Sequence, residues 1–294
     1  MPDAEKDSVQ HWQIGDVSIL RIIESQIPLP PAALFGDAEL DMIERTPWLK
    51  PHFVTEDGRL VISIHAFVVD DGRHRIVVDT CIGNDKVRSQ PFLSNLQGPF
   101  LAELAAAGYP AESIDHVLCT HMHVDHVGWN TRLVDGRWIP TFPNARYLFA
   151  RTEWEHWQKE PVDAYGDVLG DSVRPILDAG LADLVECNHR VSPSVRLEPT
   201  PGHTPGHVSV RIESGGASAV ITGDLMHHPL QIAEPGIAMV ADVDADAARA
   251  TRQAFLARHT DADVLVLGTH FATPTAGRIV GGDGARRFVP DAGG

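Results

Sequence analysis

Cys119-Thr120-His121-Met122-His123-Val124-Asp125-His126-Val127-Gly128 is the stretch on which the reading of this chain turns. It follows Ile114 to Leu118, which reads as a short buried strand. His121, His123 and Asp125 alternate, so an extended backbone would aim all three the same way. His126 breaks the alternation, which requires a turn, and Gly128 supplies a residue free to make one. Two sets of ligands leaving one tight loop suit two adjacent metal ions better than one. Such a density of imidazole and carboxylate predicts a metal site rather than a histidine-rich surface loop.

Other strand ends point to the same place. Val195 to Leu197 leads to Thr200-Pro201-Gly202-His203, and Ala217 to Ile221 leads to Gly223-Asp224. Asp263 to Leu267 leads to Gly268-Thr269-His270, and Arg75 to Val78 leads to Asp79. Side chains at the carboxyl ends of neighbouring strands converge on one edge of a sheet. Singly, each reads as a turn or cap residue; together they predict a site.

The ordered set His121-x-His123-x-Asp125-His126, His203 within Thr-Pro-Gly-His-Thr, Asp224 and His270 resembles the metallo-β-lactamase superfamily. The resemblance runs over nearly the whole chain from about Val17. It implies an α/β fold, a four-layer αβ/βα sandwich with a dinuclear metal centre at the sheet edge, the metal usually zinc. Carried over by residue, His121, His123 and His203 would hold one ion, and Asp125, His126 and His270 the other. Asp224 would bridge them, and Asp79 would orient the histidine loop from behind. The family pattern makes His203 the ligand, so His207 is expected to be structural. Mixed imidazole and carboxylate donors suit zinc, with manganese, iron and cobalt as other candidates.

Two adjacent ions can share a hydroxide formed near neutral pH, and one of them can polarise a carbonyl or phosphoryl oxygen. The expected reaction is therefore hydrolysis, with Asp125 and His227 as candidate catalytic side chains. Gly223-Asp224-Leu225-Met226-His227-His228 most resembles the methyl parathion hydrolase branch, whose members act on phosphotriesters, aryl esters and lactones. N-acyl homoserine lactonases place a tyrosine three residues after the bridging aspartate, where this chain has His227. The expected substrate is a small uncharged ester or lactone, with phosphotriesterase side activity. His65, Phe67, Trp129, Trp154, Trp157, Tyr165 and His228 are the candidate pocket residues.

Competing readings are a glyoxalase II-like thioesterase, a mononuclear iron persulfide dioxygenase and a non-catalytic metal-binding protein. The thioesterase usually carries a C-terminal helical domain, for which the 24 residues after His270 are too few. A flavodiiron-like module typically has glutamate where His123 stands.

At 294 residues and 43% hydrophobic, the chain can bury a large core. One domain over residues 1–294 is the expected organisation. The formal charge of -16 repels polyanions and so disfavours nucleic acid and anionic membranes as partners. Three scattered cysteines do not form a disulfide framework, and Met1 to Gln10 is too polar for a signal peptide, so a cytoplasmic location is expected.

Local patterns predict a strand over Val17 to Ile23 and a hairpin of Leu60 to Val69 with His74 to Val78. They predict a helix over Phe100 to Ala107, a second hairpin within Arg132 to Ile139, and a strand over Ala145 to Phe149. Thr152 should cap a helix running to Lys159. Residues 160–182 read as partly helical and as a wall of the site. Strands are expected at Val208 to Ile212 and Ala217 to Ile221, and a helix over Asp244 to His259. Residues 24–58 combine many prolines with large apolar groups, which predicts an irregular cap or a homodimer contact.

Overall fold

The computed structural model describes residues 9–36, 40–159, 164–282 and 285–291. In chain order, strands β1 (Val9–Ile14), β2 (Val17–Leu29), β3 (Leu60–Asp70), β4 (Arg75–Val78) and β5 (His116–Leu118) come first. A separate hairpin of β6 (Thr131–Val134) and β7 (Arg137–Pro140) follows, then β8 (Arg146–Ala150) and β9 (Ala182–Val185). Six more strands close the chain: β10 (Val195–Pro199), β11 (Val208–Ser214), β12 (Ala217–Ile221), β13 (Leu265–Leu267), β14 (Ala276–Gly282) and β15 (Ala285–Pro290). The first sheet has the order β1-β2-β3-β4-β5-β8-β9, and the second runs β10 through β15.

Alternation along the strands builds the layers. Ile19, Phe67, Val69, Ile76, Val78 and Leu118 of the first sheet pack against Leu197, Val210, Ile212, Ile221 and Leu267 of the second. The outer face of the first sheet, including Ile22, Val68 and Val117, is covered by Phe100, Leu104, Val173 and Ile176. The outer face of the second, with Val220, Val266 and Ile279, is covered by Phe255 and Leu256 of the helix Ala245–His259 and by Leu34, Phe35, Leu49 and Phe53. The result is the expected four-layer sandwich. Among the described residues, no helix is long and apolar enough to cross a membrane.

Most of the expected elements are present. Asp71 accepts the backbone N–H groups of Arg73 and His74, which turns β3 into β4. Asp244 caps its helix through the N–H of Ala247. Three expectations need correction. The helix after β8 spans Arg151–Trp157, its cap residue is Ala150, and Thr152 lies inside it. Glu153 lies in its first turn and is turned into the core.

Residues 24–58 are also not irregular from their start. β2 continues to Leu29 through a bulge at Glu24, between Ile23 and Ser25. β1 pairs only as far as Ile22, so Pro28 sits on an open edge where its missing N–H leaves no bond unmade. The segment then contributes Leu34, Phe35, Leu49 and Phe53 to the core; residues 37–39 lie outside the described residues. Finally, β1, β9, β14 and β15 carry no strand signal in sequence strong enough to find them. The edge hairpin β14–β15 in particular is rich in glycine and arginine. Of 160–182, the described part has a wide π-turn at Leu169–Val173 leading into a helix, Arg174–Asp178, while 160–163 lie outside the described residues.

Candidate metal centre

Parallel pairing sets β4, β5 and β8 side by side, and β12 beside β13, so their carboxyl ends share one rim of the sandwich. The histidine loop leaves β5, and the His203, Asp224 and His270 loops follow β10, β12 and β13. Two groups of donor atoms result. His121, His123, His203 and Asp224 form one, and Asp125, His126 and His270 the other, the atoms of each lying within 4.8 Å of one another. Asp224 reaches both: its Oδ2 is 3.5 Å from His121 Nε2, 3.3 Å from His203 Nε2 and 3.3 Å from His126 Nε2. Its Oδ1 is 3.1 Å from His270 Nε2.

The far nitrogens of these rings are already held. His126 Nδ1 lies 3.0 Å from Asp79 Oδ2, His203 Nδ1 2.9 Å from Asp242 Oδ1, and His270 Nδ1 2.9 Å from the Ser63 carbonyl. An N–H donated outward leaves the inner nitrogen as a lone pair facing the cluster. Those inner nitrogens stand very close: His203 Nε2 is 2.8 Å from His123 Nδ1, and His270 Nε2 is 3.2 Å from His126 Nε2. Converging lone pairs and a buried carboxylate fit a pair of divalent cations.

The electrostatics agree. Burial pushes the imidazoles of His121 and His123 well below the usual histidine range. Burial acts the same way at His126 and His203, but Asp224, with Asp79 and Asp242, outweighs it and raises both, His203 to about 9. Burial would raise the Asp224 carboxyl, yet the surrounding imidazoles hold it well below the carboxylate range. The rings of His121 and His123 are thus unprotonated and Asp224 is charged, the states in which these groups can bind a cation.

Tight backbone packing holds the loop. Asp79 accepts from the N–H of Thr120 at 2.7 Å and from the Thr120 hydroxyl at 2.9 Å, besides its contact with His126. At Gly128 a Cβ would fall 1.8 Å from the Ile82 carbonyl oxygen, so close approach, not turn freedom alone, requires glycine there. Two glutamates without a signal in the sequence, Glu153 buried and Glu24 partly buried, complete the frame. Glu24, aimed by the bulge in β2, accepts from the N–H groups of Ile82 and Gly83 and from Trp129 Nε1. Glu153 accepts from the N–H of Met122 and of Gly206, tying the loops of His121 and His203 together. Neither has a local signal, because the loops they hold lie from 31 residues upstream to 105 residues downstream.

His207 is structural, but not idle. Its Nε2 accepts the backbone N–H of Asp224 at 2.7 Å, and burial lowers its pKa to about 3, which keeps that nitrogen free of a proton. His207→Ala should therefore loosen Asp224 and lower metal affinity about tenfold, read by competition with a chromophoric chelator.

A cavity of about 340 Å³ opens onto both donor groups. His123, Asp125, His203, Asp224, His227 and His270 form its floor, and Ile27, Leu29, Leu34, Ile62, Ile64, Phe92 and Met239 are among its walls. His227 Nε2 stands 3.0 Å from Asp224 Oδ2, its ring stacked on His270. Of the other candidate pocket residues, only Tyr165 lines this cavity. His65 and Phe67 share the face of β3 opposite to Ile62 and Ile64, a consequence of strand parity. His65 bonds Ser63 Oγ, and Phe67 packs edge-on to Trp12 between the sheets. Trp129 stacks on Phe100, Trp154 packs against the core of the first sheet, and His228 bonds the Phe53 carbonyl. Trp157 touches the ring of His123 from behind and donates to Glu153.

A family model described as the metallo-beta-lactamase superfamily matches residues 60–270. An N-acyl homoserine lactonase of a Bacillus species is 26% identical over 180 residues, which covers 57% of this chain and 65% of the lactonase. The aligned region thus spans a little under two thirds of that relative. Among solved structures, a hydrolase called AbOPH superposes with a TM-score of 0.79 at 26% identity, covering 97% of both chains. AidC, described as a dizinc quorum-quenching lactonase in complex with its product, gives 0.79 at 20% identity and 97% coverage of both, a likeness of fold. From the matched span, and from a donor set assembled as that fold requires, the chain belongs to the metallo-beta-lactamase superfamily.

Proposed function

We propose that this protein is a dinuclear-metal hydrolase of uncharged carboxylic esters, with lactones as the main class and acyl-tailed lactones as the best substrates. The observation that carries this reading is the cavity: its floor is the donor cluster, its walls are mostly aliphatic, and none of its described lining residues is Lys or Arg. A charged group carried on the tail would lie against the aliphatic walls, away from the ions and without a counter-charge, at a cost of several kcal/mol. That disfavours glutathione thioesters. The named activity of the lactonase relatives supports the same class.

In this reading His121, His123, His203, Asp125, His126, His270 and the shared Asp224 would hold the two ions, zinc being the best match to the donors. When bound, the pair supplies a nucleophile from water near neutral pH and a Lewis acid for the scissile carbonyl. The chain's own residues do the rest. The aliphatic walls hold the acyl tail and exclude water, which sets the carbonyl over the floor. His227 lies at that floor, where it would donate a hydrogen bond to the leaving oxygen and stabilise its developing charge.

Metal analysis beside a substrate panel tests this. Two ions per chain and turnover of an acyl lactone, with about 30-fold or greater loss when the tail ends in a carboxylate, are expected. About one iron per chain with oxygen uptake on a persulfide would overturn it. His227→Ala should lower kcat about 10²-fold with metal content unchanged; an unaltered kcat would remove His227 from the chemistry. An uncharged phosphotriester meets the same steric and charge requirements and belongs in the panel.

A further inference from the structure

Arg252 lies on the helix Ala245–His259 and is only 1% exposed, and its ion-pair partner among the described residues, Asp242, stands no closer than 3.8 Å. Its guanidinium is used as a fork for backbone carbonyls. Nε donates to Leu225 O at 3.1 Å, and Nη1 donates to Pro235 O at 3.0 Å and to Ile237 O at 2.6 Å. Nη2 stands 3.8 Å from Asp242 Oδ2. One side chain therefore fixes both the residue after Asp224 and the segment from Pro235 to Asp242.

That segment has two faces of use. Met239, Val240 and Ala241 line the cavity, and the N–H of Val240 bonds to Leu34 O on the opposite wall. Asp242, the next residue, sends Oδ1 to His203 Nδ1 at 2.9 Å and accepts the N–H of Met239 on Oδ2 at 3.0 Å. The N–H of Val243 then bonds to His203 O. The orientation of His203 and the shape of the wall that meets the acyl tail are thus set by the same few bonds.

We propose that Asp242 and Arg252 are positioning residues that make the alignment of His203 depend on the cavity-wall segment Pro235 to Asp242. The proposal rests on the functional reading above for its substrate arm only. Asp242 locks the ring and raises the donor strength of His203. Arg252 holds the segment at the distance that both roles need, a task that suits the planar, preorganised donors of arginine and not the point charge of lysine.

The test uses the metal-loaded full chain. Asp242→Asn is close to isosteric and should fold with an unchanged melting temperature. It should weaken one of the two zinc ions 10- to 100-fold in competition with a chromophoric chelator, while the other ion keeps its affinity. Arg252→Lys should raise KM for a long-acyl lactone several-fold more than for a short one, and should weaken the same zinc ion that Asp242→Asn weakens. Equal affinities for both ions in Asp242→Asn and wild type would overturn the proposal. So would an Arg252→Lys enzyme that loses thermal stability but keeps the wild-type ratio of long- to short-chain KM. If Arg252→Lys fails to fold, the metal titration of Asp242→Asn decides alone. That titration needs no substrate, so it stands even if no lactone is turned over.

Discussion

Asp224→Asn is expected to abolish the paired metal site and to lower hydrolysis at least 10³-fold, the order seen when a preorganised electrostatic element is lost. Among the described residues, Asp224 is the one carboxylate within 3.5 Å of rings from both donor groups. Its charge offsets the repulsion among imidazoles that stand as close as 2.8 Å. Asparagine retains the size and one oxygen but removes the charge, so each ion loses its shared partner. Metal analysis should return about one ion per chain or fewer. Two tightly held ions with wild-type turnover would show that Asp224 is not the bridge.

Asp171→Ala should destabilise the fold by about 3–5 kcal/mol, the range for leaving buried charge unpaired. Arg88 is bound by both oxygens of Asp171, at 2.6 and 2.9 Å. Lys86 lies 3.6 Å from the same carboxylate and donates to the Asp171 carbonyl and to Thr131 Oγ1. Both cations are shielded from water, with side-chain exposure of 0%. Removing the carboxylate strands them together. Burial already lowers the Lys86 pKa from 10.5 to about 7, against the pull of Asp171. Between those values the unfolded chain binds the extra proton, so stability rises with pH across this window. Without Asp171 the lysine sheds its proton more readily, so the loss measured by denaturant at pH 9 should be smaller than at pH 6.5. A loss below 1 kcal/mol at both would show that the cluster is open to water.

What sequence could and could not reveal follows from where each partner lies. His121, His123, Asp125 and His126 were legible because their spacing is local, and His203, Asp224 and His270 because each follows a strand. Asp79 was legible for the same reason. Glu24, Glu153, Asp242 and Arg252 were not, since each acts on backbone or rings brought near only by the finished fold. Arg252 looks like any charged helix residue until its buried carbonyl partners are seen. The cavity walls were missed for a different reason: aromatic residues drew attention, whereas the walls are chiefly aliphatic residues of β2, β3 and the segments after them. Trp129, Trp154 and Trp157 instead brace the site from behind. Thr152 failed as a cap because the helix starts two residues earlier than that cap requires, directly from the strand end at Ala150.

Each donor group draws on both halves of the molecule. His121 and His123 leave the first sheet, and His203 and Asp224 leave the second; Asp125 and His126 likewise meet His270 across the same seam. During synthesis the first four of these residues emerge long before the last, and none can complete a site on its own. Capture of the ions is therefore a late event in the life of the polypeptide. Once made, it joins the two sheets at their rim, beyond the reach of the apolar core that joins their faces.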